Sequence, residues 1–294
     1  DSIRTDGGAQ LGIRILYISE IVGKAGIWCV KDALPALKAA EKPDIVVANA
    51  DGATGSYGLG RQHAGYLRKL GIDMITGGDC IYYKKDLVEG IDALSYVIRP
   101  ANYPAESPGR GWRFAFAGKT KVAVVSLLGR VGFSRVHSEN PFTALSALSD
   151  RLRQETPYIL VDFHSGATAE KQALFYHADG KVSAVIGSHA RVQTSDETIL
   201  DGGLGVITDA GRTGSLDSVG GMNPAAKIRE YVTGVPDWSH DAWDRPVLQG
   251  VVIDLDGTGR TSAIRRFSVD CGEPPSAGNA NGGQDAGKSE GSED

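Results

Sequence analysis

Three observations predict a layered α/β fold with mixed sheets. Short apolar runs of strand length recur along the chain. Helical stretches separate many of them, and no linker or internal repeat interrupts the pattern between residues 13 and 270.

Taken in order, IRILYIS (13–19) opens the core as a buried strand, followed by the helical stretch WCVKDALPALKAA, which puts Val30, Leu34 and Leu37 on one face and carries Pro35 within it. DIVVANA (44–50), IDMIT (72–76), VAVVSLL (122–128), YILVDF (158–163), VSAVIG (182–187) and GVITDA (205–210) read as further strands, because strands buried on both faces are near-continuously apolar. PFTALSALSDRLRQ starts a helix behind Asn140, a good N-cap, with Pro141 at the first helical position. PVLQGVVIDLDGTGRTSAIRRFSV reads as a hairpin turning at Asp256-Gly257. The expected organisation is a flexible segment at 1–12, a folded domain at 13–270 and a disordered acidic tail at 271–294. That tail is too poor in apolar residues to order itself.

Composition excludes several functions. Of the net charge of −5, the tail carries −4, so the core has no positive field suited to general nucleic-acid binding. No apolar run reaches the ~20 residues of a membrane helix. The start, DSIRTDGGAQ, has no apolar signal core, and with Asp first the chain reads as trimmed. Three cysteines, Cys29, Cys80 and Cys271, cannot build a disulfide framework, so a reducing cytoplasm is the expected compartment.

The polar residues are informative by position. Glu20, Asp51, Asp79, His164 and His189 each stand just past the carboxyl end of a strand, the rim where open α/β sheets build sites. Singly, each has an ordinary explanation as a turn former, cap or surface residue. Together their mixed oxygen and imidazole donors fit a divalent transition metal, Zn, Mn or Fe. Other motifs are weaker. IVGKAG (21–26) lacks the P-loop pattern, GSYGLG (55–60) lacks the dinucleotide spacing, and Ser165 and Ser188, although beside histidines, sit in no nucleophile elbow.

The segments ILYISEIVGKAG, RPANYPAESPGRG, LLGRVGF with ENPF, ILVDFHSGATAEK, DGKVSAVIGSHARVQT and ITDAGRTGSLDSVGGM resemble the YmdB-like metallophosphoesterases, a family of cyclic-nucleotide phosphodiesterases, over residues 13–268. The resemblance implies a metallophosphoesterase-type two-sheet αββα sandwich, one or two divalent metals per chain and a phosphate-containing substrate such as a cyclic nucleotide. It also implies departures. The family's first-strand Asp falls on Glu20, its metal-bridging Glu on Asp51 and the following Asn on Gly52. The Asn and His of its Gly-Asn-His fall on Asp79 and Cys80. Its later histidines fall on His164 and His189, and the last histidine on Arg191. By this analogy Asp51, Asp79, His164 and His189 keep one half of the site. Arg191 puts a fixed positive charge in the other half and is expected to grip phosphate bidentately, while Cys80 takes the place of the leaving-group acid. Two readings follow: a phosphodiesterase with a one-metal site and reduced activity, or an inactive relative that binds a nucleotide, phosphate or protein partner. A homo-oligomer is compatible with either.

Overall fold

The computed structural model describes residues 12–133, 135–237 and 241–272. The segments expected to be loose therefore lie outside the described residues, except Gly12, Cys271 and Gly272. The chain first lays down β1 (Ile13–Ile18), β2 (Glu20–Ile21), α1 (Gly23–Glu41), β3 (Ile45–Asn49), α2 (Arg61–Lys69), β4 (Met74–Thr76), α3 (Lys85–Val88) and β5 (Val97–Ile98). It crosses to a second sheet through β6 (Trp112–Ala117), β7 (Thr120–Leu128), α4 (Pro141–Leu152), β8 (Ile159–His164), α5 (Thr168–Ala178), β9 (Ala184–Ser188), β10 (Thr198–Ile199) and β11 (Gly205–Ile207). It returns with β12 (Arg212–Ser215), α6 (Pro224–Thr233), β13 (Pro246–Leu255) and β14 (Thr261–Asp270).

The first sheet runs β2-β12-β13-β1-β3-β4-β5, with β14 paired to β13, and the second runs β10-β11-β9-β8-β7-β6. Side-chain alternation along the strands sorts three cores. Ile15, Tyr17 and Val47 meet Val124, Leu160 and Ile186 between the sheets. Leu16, Ile18 and Val46 pack outward on Val30, Leu34 and Leu67 of α1 and α2. Val125, Val161 and Phe163 pack outward on Leu145 and Leu174 of α4 and α5. The result is a mixed α/β sandwich of two sheets with helices outside. No described helix is long and apolar enough to cross a membrane.

Several local expectations hold. Asn140 Oδ1 accepts the Phe142 N–H at 2.9 Å at the start of α4, and Val30, Leu34 and Leu37 share the buried face of α1. That helix begins earlier than its apolar spacing suggested, at Gly23, so IVGKAG is a strand end running into a helix. The last hairpin turns over residues 256–260, not on two residues. Asp256 Oδ1 accepts the N–H groups of Thr258 and Arg260 and so organises the longer loop. Edge strand β6 has no buried apolar run, since Trp112, Arg113 and Phe114 are half-buried and Phe116 is exposed.

Candidate metal centre

The carboxyl ends of β1, β3, β4, β8 and β9 share one rim. Past β3, Asn49 Oδ1 accepts the Asp51 N–H at 3.0 Å and so orders the turn. Asp51 then accepts N–H groups from the loop after β4, Gly78 at 2.6 Å and Cys80 at 2.9 Å. These bonds hold Asp79 between two anchored neighbours. His164 is the last residue of β8, and His189 follows β9 directly, with φ 95°.

Asp79 Oδ1 lies 3.0 Å from His164 Nε2 and 3.7 Å from His189 Nδ1, and the two imidazole nitrogens are 3.1 Å apart. Asp51 Oδ2 is 3.7 Å from His164 Nε2. Metal–ligand lengths of ~2.0–2.2 Å around a tetrahedral ion place neighbouring donor atoms roughly 3.3–3.6 Å apart. The observed separations bracket that spacing, so this donor set fits a divalent metal. His164 Nε2 thus faces two further donor atoms, Asp79 Oδ1 and His189 Nδ1, at the mouth of the cleft.

The back of the site sets the tautomer of His164. Ser188 Oγ lies 2.7 Å from Asp162 Oδ1 and 3.0 Å from His164 Nδ1. An ionised carboxylate can only accept, so the hydroxyl donates to Asp162 and accepts from His164 Nδ1–H. Nε2 is thereby left to face Asp79 and the cleft, the arrangement by which outer partners orient metal-binding histidines. Asn49 Nδ2 at 2.9 Å and the Thr76 hydroxyl also donate to Asp162. This buried polar layer did not stand out in the sequence, although Asp162 inside the apolar run YILVDF was its one visible signal.

The other half is built differently. Arg191 Nη2 and Nε reach Glu20 Oε1 at 2.6 and 3.0 Å, Nη2 also donates to Ser56 O at 3.1 Å, and Nη1 donates to Gly220 O at 3.0 Å. Four of the five guanidinium N–H groups are thus engaged within the chain. This corrects the expected bidentate grip on phosphate, because at most one N–H stays available. Gly52 makes room for the guanidinium, as a Cβ there would come within 2.8 Å of Nη2. A guanidinium offers no lone pair, so this half does not fit a second metal while Arg191 fills it. Both Arg191 bonds fall on one oxygen of Glu20, and buried Oε2 has no partner.

The loop carrying His189 and Arg191 is strained, with Arg191 at φ 58°. Asp209 Oδ2 holds it by accepting the Ala190 N–H at 2.9 Å and is paired in turn with buried Lys171 at 2.8 Å. Phe133 forms a wall, its ring 5.9 Å from that of His164 and 4.9 Å from that of His189. In front lies a cavity of about 310 Å³ lined by Tyr57, Asp79, Cys80, Tyr83, Arg135, Glu230, Pro236 and Asp237. Ser165 belongs to the scaffold, since its hydroxyl donates to Glu170 at 2.7 Å.

Electrostatics separate the groups. Burial, aided by the charges of Asp79 and Glu20, pushes Asp51 up to about 7. Burial also works against ionised Asp79, yet the hydrogen bond and charge of His164 hold it at about 2. His164 resists the same burial through its bond to Asp79 and the field of Asp51, and rises to about 9. Burial and the neighbouring His164 lower His189 to about 4. These shifts put the positive charge of this half on His164, among the donors that a metal cation would share.

Comparison with known proteins agrees with this architecture. A 2′,3′-cyclic-nucleotide 2′-phosphodiesterase of Bacillus subtilis (strain 168) is 38% identical over 258 residues, which cover 87% of this chain and 97% of that protein. The crystal structure of a novel phosphatase from Mycoplasma pneumoniae matches with a TM-score of 0.84 at 27% identity, over 90% of this chain and 96% of the other. A hypothetical protein from Thermus thermophilus matches with a TM-score of 0.82 at 30% identity, over 88% and 100%. The two-sheet sandwich is of the metallophosphoesterase type. The model of the YmdB-like protein family matches residues 16–267, and the chain belongs to that family.

Proposed function

We propose that the protein is a metal-dependent phosphodiesterase acting on cyclic nucleotides, with one divalent metal held by Asp51, Asp79, His164 and His189. The observation that carries this reading is the convergence of Asp79 Oδ1, His164 Nε2 and His189 Nδ1 within 3.0–3.7 Å. When bound, a divalent ion supplies Lewis acidity toward a phosphoryl oxygen and lowers the pKa of water. The chain's own residues do the rest. Ser188 and Asp162 keep His164 Nε2 turned to the cleft. Arg191 neutralises Glu20 and can lend its remaining N–H to phosphoryl charge. Phe133 shields the histidines, and Cys80 lines the floor where the family keeps an acid.

The convergence of ligand-capable groups at Asp79, His164 and His189 supports this reading over an inactive binder, because together they offer a carboxylate and two imidazoles at metal-ligand spacing. Reduced turnover follows from Cys80 standing where the resemblance places the leaving-group acid, since a missing positioned acid costs about 10²–10⁴ in rate. Iron, manganese and zinc all suit the donors. The three free cysteines support a cytoplasmic location. Exposed Ile228, Tyr231 and Val232 on α6 support a homo-oligomer.

The test is hydrolysis of a 2′,3′-cyclic nucleotide by protein stripped with chelator and then reconstituted with each metal. Turnover should return with metal at a rate below ~1 s⁻¹, the lower end for ordinary enzymes. Hydrolysis that ignores chelation, or none with any metal, would overturn the reading.

A further inference from the structure

We propose that Cys80 is itself a metal ligand, making the site a mixed carboxylate, imidazole and thiolate centre. The inference rests on the one-metal reading above and gives Cys80 a different part from the proton donor expected of its position.

Three observations carry it. First, the donors interlock. Asp79 turns Oδ1 to His164 and His189 and Oδ2 to Cys80 Sγ, which lies 3.5 Å away. The ligand atoms of Asp51, Asp79 and Cys80 lie within 4.8 Å of one another, as do those of Asp79, His164 and His189, so the two ligand triads share Asp79. Second, the thiol is held in place. Its residue is only 7% exposed, and its backbone N–H is fixed by Asp51 at 2.9 Å. Third, the surroundings invite a cation: the carboxylates of Asp51 and Asp79 border the thiol, and Glu20 Oε2 on the same rim is buried without a hydrogen-bond partner.

Those neighbours make Cys80 a poor acid catalyst. A neutral thiol set among carboxylates brings no positive charge to a leaving group. Ligation exchanges the S–H bond for a sulfur–metal bond and releases the proton to solvent. Arg191 helps, because its pairing with Glu20 removes one negative charge from the site and leaves fewer acids for the metal to balance. A thiolate is a soft donor, so the centre should prefer zinc, iron or cobalt over manganese and magnesium.

Cobalt(II) alone is the probe. Full-length protein, stripped and loaded with one equivalent, should show ligand-field bands in the visible together with sulfur-to-cobalt charge-transfer absorption in the near ultraviolet. Cys80→Ser should still bind cobalt and keep the visible bands, but lose the charge-transfer band and at least about tenfold of its preference for zinc over manganese. Cys80→Asp, which supplies a hard donor, should bind metal without the band and guards against misfolding of the serine variant. Visible bands without charge transfer in the wild type, or charge transfer that survives both substitutions, would overturn the thiolate ligand and leave the one-metal reading standing. If wild-type protein binds no cobalt, both ideas fall.

Discussion

The two halves of the site start from the same rim and end in opposite states. Around Asp79, His164 and His189, carboxylate and imidazole groups converge within 3.0–3.7 Å, and the positive charge among them is a proton on His164 that a cation from outside can displace. Around Glu20 the cation is already part of the chain, with Arg191 Nη2 2.6 Å away and both side chains largely buried. A tethered guanidinium carries one charge, never leaves and cannot coordinate a water or a substrate oxygen as a Lewis acid. A bound ion carries two charges and can do both. The comparison teaches that a tethered cation can balance a buried carboxylate without offering a coordination site.

The largest expected effect breaks the open half. His164→Ala removes the nitrogen shared by Asp51, Asp79 and His189, and metal content should fall from near one per chain to near none by elemental analysis. Retention of a full equivalent would remove His164 from the centre. The fold should persist, because the three apolar cores pack without contribution from these donors.

Next in size is the closed half. Arg191→Ala strands a buried carboxylate and should destabilise the protein by about 3–5 kcal/mol in chemical denaturation. The penalty has a pH signature. Burial alone would raise the Glu20 pKa, but the Arg191 field pulls it below its ordinary 4.5. A depressed carboxylate contributes stability above its unfolded pKa and loses it as pH falls through the folded value. The gap between wild type and Arg191→Ala should therefore be widest above about pH 5 and shrink in acid. A gap independent of pH would mean the loss is one of packing. The tie to Gly52 sharpens this. Gly52→Asn alone should overpack against the guanidinium, at about 1–3 kcal/mol. In an Arg191→His background most of that cost should vanish, and with Glu20→Asp added the metal content should climb toward two.

Much of this was legible in the sequence. Strand ends can be read from apolar runs, so Glu20, Asp51, Asp79, His164 and His189 could be assigned to one rim from the residues alone. That the family's last histidine falls on Arg191 is what the resemblance implies. What the residues could not reveal was how many of the arginine's N–H groups were already spent, because its three carbonyl and carboxylate partners, Ser56, Gly220 and Glu20, are distant in the chain. The layer of Asn49, Thr76, Asp162 and Ser188 was hidden for a related reason. Each comes from a different strand, and a single polar residue in an apolar run carries no record of what it faces. Edge strand β6 was missed because half-buried aromatics alternating with arginine do not read as a core strand.

The smallest effect expected lies in that hidden layer. Ser188→Ala removes the hydroxyl that relays the Asp162 carboxylate to His164 Nδ1. Asp162 keeps its bonds from Asn49 and Thr76, so the sandwich should lose little stability. His164, by contrast, loses the acceptor that selects its tautomer, and its ring gains freedom to turn Nε2 away from the cleft. Losing an outer partner of this kind lowers metal affinity about 10–100-fold. Competition with a chelator of known strength would measure the loss, and proton–nitrogen correlation spectra of the imidazoles would show whether Nδ1 or Nε2 now carries the proton. Ser188→Thr keeps a hydroxyl and should recover most of the affinity. If alanine binds metal as tightly as wild type with its tautomer unchanged, the orientation of His164 comes from packing against Phe133, and the difference between the two halves rests on the donor atoms alone.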